Sequence, residues 1–130
     1  MNALHAIIAI IPCTDLDRSE RFYRRLGFLR RGEDMESGVE YRILHDADGH
    51  SLHLRQAEPG WLIPGQNPFG LYYAHERVDQ LAAEFAGDMV GDAWPEDKPW
   101  GMYEFAIADP DQTLLRIGWP SRLRQEAARA

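Results

Sequence analysis

A chain of 130 residues with 45% hydrophobic and 11% aromatic content is long enough for one ordinary globular core. Its formal net charge of −7 counts against a nucleic-acid partner, because a phosphate backbone calls for basic surface. No apolar run reaches membrane-spanning length, and the single cysteine, Cys13, excludes an internal disulfide.

The first strand is Ala6–Ile11. It is also the one stretch resembling a leader core, but no Lys or Arg precedes it and Pro12-Cys13 makes a poor cleavage or lipidation site. Cytoplasmic residence is therefore the expectation, and Cys13 reads as small buried filler. A turn at Pro12–Asp15 leads to a helix starting near Asp17, a suitable cap. Ser19, Phe22, Tyr23 and Leu26 recur at helical spacing, and Gly27 ends the helix. Three strands follow, at about Leu29–Glu33, Val39–Leu44 and His50–Gln56, the last two joined by a tight turn at Asp46–Gly49.

The second half repeats the plan. A strand at Gly70–Glu76 precedes a helix carrying Val78, Leu81, Ala82 and Phe85, closed by Gly87. Strands at Met102–Ala108 and Thr113–Trp119 flank an Asp109-Pro110-Asp111-Gln112 turn, and Tyr103, Phe105 and Ile107 alternate along the first of them. The strand expected between Gly87 and Trp100 is interrupted by Pro95 and Pro99. The resulting expectation is an α+β domain over 1–120, made of modules at about 6–56 and 70–119 joined by the loop 57–69. Neither half buries a core alone, so that loop is a connection rather than a domain boundary. The tail 121–130 carries three Arg against one Glu and reads as a short solvated helix or as disordered chain.

Charge is unevenly spread. Residues 76–111 hold ten acids against Arg77 and Lys98, a net of −8, and the same stretch carries Trp94 and Trp100. Acidic charge beside aromatic faces suits a cationic, partly planar ligand, through long-range attraction and stacking. The plainer reading is that most of these acids serve solubility.

The segment Pro99-Trp100-Gly101 running into Glu104-Phe105-Ala106 and Asp109-Pro110, with Thr113-Leu114-Leu115-Arg116-Ile117, resembles the last hairpin of the glyoxalase/bleomycin-resistance/dioxygenase (vicinal oxygen chelate) superfamily, and specifically its bleomycin-resistance proteins. Asp15-Leu16 with Ser19, Phe22-Tyr23 and Leu26-Gly27 resembles the superfamily's first-half signature. The resemblance spans about residues 6–119. It implies paired βαβββ modules forming a curved mixed sheet with a ligand groove, in a homodimer. Gln112 departs from it, standing where the family usually has the glycine that a left-handed turn residue favours.

In the superfamily's metalloenzymes each module supplies two metal ligands, and the corresponding positions here are Ile8, His53, Tyr73 and Arg116. A guanidinium has no lone pair to donate, and of the four only His53 is a good ligand, so the expectation is a protein with no metal and no cofactor. His50 is expected to face away from His53 on the same strand, and His45 flanks the turn; a shift of register brings His5 nearer the set. There is no Gly-rich phosphate loop, no Gly-x-Ser-x-Gly elbow and no Cys/His nucleophile arrangement. Glu36, Glu40 and Glu104 have no spacing that pairs them for acid–base work and read first as solvent-facing strand carboxylates.

Among the aromatics, Phe22, Tyr23, Phe28 and Phe85 read as core, whereas Tyr41, Tyr73 and Tyr103 suit core or groove. Trp61 and Trp100 sit beside Gly or Pro in loops, where a core place is less natural. The resemblance gives Trp100 the role of stacking a planar drug, with Gly101 allowing close approach. The expected groove set is Trp100, Gly101, Trp61, Tyr73, His53, Arg116, Tyr41 and Glu104. The expected function is metal-free sequestration of a cationic glycopeptide of the bleomycin type, with no catalysis, no nucleic acid and no membrane. The alternatives are a binder of another planar metabolite or antibiotic, a glyoxalase- or dioxygenase-like enzyme with an atypical site using His5 or His53, and a purely structural protein.

Overall fold

The computed structural model describes residues 5–31, 40–91 and 94–129, and the chain divides into two compact units, Met1–Gln66 and Asn67–Ala130. In the first unit, β1 (Ile10–Cys13), α1 (Leu16–Arg25), β2 (Tyr41–His45) and β3 (Ser51–Gln56) build a sheet of order β1-β3-β2. β1 runs parallel to β3 and β2 antiparallel to it. The first strand starts later than its apolar run, at Ile10 rather than Ala6. The ladder reaches back only through the Ala9 carbonyl, which accepts from the His53 amide.

Asp15, not Asp17, caps α1: its carboxylate accepts from the Arg18 amide at 3.1 Å, satisfying one of the amides that a helix start leaves without a partner. Asp17 lies in the first turn and pairs with Arg42 at 3.0 Å. Phe22, Tyr23 and Leu26 of this segment bury against the sheet with Ile11, Cys13, Leu44 and Leu54. Gly27 then takes φ +97°, a conformation open to glycine at no steric cost. Of the strand expected over Leu29–Glu33 there is a single bridge, Leu29 to His45; residues 32–39, including Glu36 and Val39, lie outside the described residues.

In the second unit, β4 (Gly70–Ala74), α2 (Val78–Glu84), β5 (Glu96–Asp97), β6 (Met102–Ala108), β7 (Leu114–Pro120) and α3 (Ser121–Arg129) give a sheet of order β4-β7-β6-β5. β4 is parallel to β7, repeating the β1–β3 relation. α2 packs on β6 and β7, burying Val78, Ala82 and Phe85 with Phe105, Ile107, Leu115 and Ile117. The helix ends at Glu84 with Phe85 as cap, two residues before the glycine expected to close it. Between Pro95 and Pro99 the chain forms only the two-residue β5, because neither proline can donate to a ladder. The tail is helical, and Arg124 of α3 lies 3.5 Å from the centre of the Tyr103 ring.

The two hairpin turns share one device. Asp46 accepts from the amides of Asp48 and His50 at 3.0 and 2.8 Å, and Asp109 from those of Asp111 and Thr113 at 2.8 and 2.9 Å. Gly49 sits at φ +87° in the first turn; in the second the matching residue is Gln112, at φ +66°. A side chain in that region costs roughly 1–2 kcal/mol, against roughly 0.5–1 kcal/mol for the backbone freedom a glycine loses on folding. Gln112→Gly is therefore expected to stabilise the protein by about 0.5–1 kcal/mol, read as a higher denaturant midpoint with an unchanged slope; a lower midpoint would show that the glutamine side chain repays its strain.

Candidate functional site

Side chains alternate across each sheet, so the pairing register decides which residues share a face. In the second unit, Tyr72 lies opposite Arg116, Arg116 opposite Ala106, and Glu104 opposite Gly118. These residues occupy the face turned away from the buried row of Phe105, Ile107, Leu115 and Ile117 that α2 covers. Tyr73 pairs with Ile117 and so belongs to the helix-covered face, where its ring meets His75 edge-on at 5.4 Å. The tyrosine beside Arg116 is therefore Tyr72, one residue before the expected one.

Glu104 is the centre of this face. It is 1% exposed and not the solvent-facing carboxylate its place on the strand suggested. The indole Nε1–H of Trp100 donates to Glu104 Oε1. Glu104 Oε2 is buried with no hydrogen-bond partner among the described residues, and Arg116 Nη1 stands 3.7 Å from it. That separation gives charge attraction without a hydrogen bond. Trp100 itself is 61% exposed, held at its N–H edge with its ring uncovered. Gly101, at φ +87°, makes the turn that brings the indole back over the strand.

Gly118 is the second residue the sequence did not single out. A Cβ placed there would stand 2.2 Å from the Tyr72 hydroxyl and 2.8 Å from Glu104 Cβ. Its absence lets the Tyr72 ring cross β7 and reach the flank of Glu104. A glycine inside a strand is a signal of such close approach. Burial, and then the Glu104 charge, push the Tyr72 phenol above the ordinary tyrosine range, against the opposing effect of Arg116. Burial, the hydrogen bond to Asp79 at 2.5 Å and the Asp79 charge do the same for Tyr103, on the helix-covered face.

The first unit brings its own candidates together in pairs. Ile10 and Ile43 flank His53 across the ladder, and the Tyr41 hydroxyl lies 2.5 Å from His53 Nδ1. Arg55, on the same face, stacks its guanidinium 4.4 Å from the centre of the half-exposed Trp61 ring. The residue opposite His53 on β1 is Ile10, and Ile8 precedes the strand. His45 bonds Ser51 at 2.8 Å, while His50 precedes the strand and bonds Asp46 at 2.9 Å. Among the described residues no three His, Cys, Asp or Glu side chains gather as a metal site would need.

A hollow of about 520 Å³ lies elsewhere in the second unit, lined by Glu76, Arg77, Gln80, Trp119, Arg124 and Gln125. It contains none of the expected site residues. No helix among the described residues is long and apolar enough to cross a membrane.

This architecture, a strand–helix–strand-hairpin module used twice, is similar to that of solved bleomycin-binding and glyoxalase/bleomycin resistance protein/dioxygenase structures. A bleomycin-binding protein solved in complex with bleomycin is 24% identical with a TM-score of 0.70, over 88% of this chain and 98% of that one. A bleomycin resistance determinant encoded on the transposon Tn5 is 24% identical with a TM-score of 0.71, over 89% and 98%. A glyoxalase/bleomycin resistance protein/dioxygenase from Alicyclobacillus acidocaldarius is 20% identical with a TM-score of 0.65, over 95% and 96%. No family model matches the sequence, and no curated protein matches it significantly.

Two outcomes test this geometry. Gly118→Ala is expected to destabilise the protein by about 1–3 kcal/mol through overpacking. Adding Tyr72→Ala should recover only part of that loss, since the clash with Glu104 Cβ remains; full recovery would mean that the tyrosine alone occupies the space. Because the folded state holds the protons of Tyr72 and Tyr103 more tightly than the unfolded chain does, stability should be intact below about pH 10 and fall as pH rises through the folded values. Tyrosinate absorbance in the native protein should then show phenols titrating late, and Tyr72→Phe and Tyr103→Phe should each remove one of them.

Proposed function

We propose that this protein binds a cationic, partly planar small molecule of the bleomycin type and sequesters it without making or breaking a bond. The observation that carries this reading is Trp100: its ring is exposed, yet its N–H is anchored on a buried carboxylate, so an aromatic face is presented at a fixed angle. Tyr72, half exposed on the same face, supplies a second aromatic wall beside Arg116. The shared fold with a protein solved around bleomycin supports the ligand class.

The ten acids of residues 76–111 draw a cation toward this half of the chain at long range. Stacking on Trp100 and Tyr72 then retains it, each stack contributing about 0.5–1.5 kcal/mol beyond its buried area. Tyr41, His53 and the Arg55–Trp61 pair are polar and aromatic groups that the first unit offers to the same kind of ligand. A homodimer in the cytoplasm is the assembly and setting we assign, and any metal present arrives with the ligand. The same fold also carries enzymes; the reading as a binder rests on the donor set, in which Arg116 stands where those enzymes place a carboxylate.

Titration of the metal-depleted protein with copper-loaded and metal-free bleomycin, by calorimetry alongside tryptophan fluorescence, tests the proposal. Saturable binding is expected, weakened by Trp100→Ala by roughly three- to tenfold or more for the lost stack. The absence of binding at high drug concentration would remove the bleomycin assignment and direct the search to other planar ligands.

A further inference from the structure

We propose that Glu104 and Arg116 form a receptor for a neutral amide-type group, one that carries an N–H donor and a carbonyl acceptor side by side. The inference deepens the binding reading above and rests on it, in that it takes the Trp100–Tyr72 face as the binding surface. Glu104 Oε1 is already occupied by the Trp100 indole, so Oε2 is the carboxylate's remaining acceptor, buried and without a hydrogen-bond partner among the described residues. A buried carboxylate oxygen in that state calls for a donor.

The nearest cation does not supply it. Arg116 Nη1 is 3.7 Å from Oε2, and the Arg116 side chain, 46% exposed, has no other polar partner among the described residues. It can shift to admit a ligand beside Oε2 without breaking a hydrogen bond of its own. The gap also has a particular size. An amide nitrogen and oxygen stand about 2.3 Å apart, from the standard C–N and C=O lengths. With hydrogen bonds of about 2.9 Å to each side, an amide spans a carboxylate oxygen and a guanidinium nitrogen 3.7 Å apart in a closed four-atom figure. The N–H goes to Oε2 and the carbonyl accepts from Nη1.

Charge balance favours the neutral group over a cationic head at this spot. Glu104 and Arg116 already cancel, and the neighbouring Glu96 on the same face is paired with Lys98 at 2.6 Å. An ammonium inserted at Oε2 would meet the guanidinium at close range with like charge. A carbamoyl, carboxamide or ureido substituent on an aromatic body meets both partners and leaves its ring to Trp100 and Tyr72.

Benzamide and benzylammonium, matched in their ring and differing in this group, separate the two cases. The readout is the indole N–H resonance of Trp100 in the ¹⁵N-labelled full chain, identified by its loss in Trp100→Phe. Benzamide is expected to shift it at concentrations about tenfold lower than benzylammonium, the worth of one hydrogen bond to a charged group. Glu104→Gln, near-isosteric but offering a donor in place of an acceptor, should weaken benzamide by about tenfold. Arg116→Leu should weaken benzamide and leave benzylammonium equal or tighter. Benzylammonium acting at equal or lower concentration, or benzamide leaving the resonance unmoved, overturns the proposal. Bleomycin binding without any benzamide response would retain sequestration and remove this receptor; a benzamide response without bleomycin binding would retain the receptor for a different amide-bearing ligand.

Discussion

Two buried aspartates hold the turns on which both sheets depend. Asp46 and Asp109, 3% and 4% exposed, each bind two amides of the chain that turns around them. A carboxylate accepting charge-assisted bonds from backbone N–H groups fixes a tight turn more firmly than glycine alone. Turn geometry sets hairpin register, and a slip of one residue would carry every side chain to the opposite face. Glu104 would then change places with Phe105, and Arg116 with Ile117. The proposed binding face is thus a consequence of turn chemistry remote from it.

The hairpins were the most legible part of the sequence. Asp-Pro-Asp and Asp-x-Asp-Gly mark their turns, and strict alternation in Tyr103, Phe105 and Ile107 marks the buried face, so Met102–Ala108 agrees with the structure to the residue. The adjacent tyrosines of β4 were not legible in the same way. Tyr72 and Tyr73 are alike in type, and their assignment to a face depends on a parallel partner more than forty positions away, which no local pattern reports. Asp15 and Asp17 posed a similar choice at the start of α1, since both are good caps two residues apart and only the backbone's extended conformation at Asp15 decides.

Glu104 was misread for a physical reason. Alternation placed it correctly on the face away from the helix, and that face of a hairpin usually meets water. Its burial comes from two events outside the strand, the return of the Trp100 indole and the passage of Tyr72 over Gly118. Neither leaves a periodic trace, although the glycine in the middle of an apolar strand was the one available clue. A shared fold does not supply this information either, because function resides in the side chains a fold presents. Here they are an anchored indole, a crossing phenol and an incompletely paired carboxylate.

Cys13 has a use that its chemistry alone would not suggest. It is fully enclosed beneath α1 and is the single thiol of the chain. A soluble thiol reagent can reach it only while the first unit is open, so its labelling rate measures that opening selectively. Three of the four tryptophans lie in the second unit, whose emission follows mainly the other half. The two halves therefore carry separate natural clocks. Running both in one sample would show whether the repeated modules breathe independently or open as a single cooperative body.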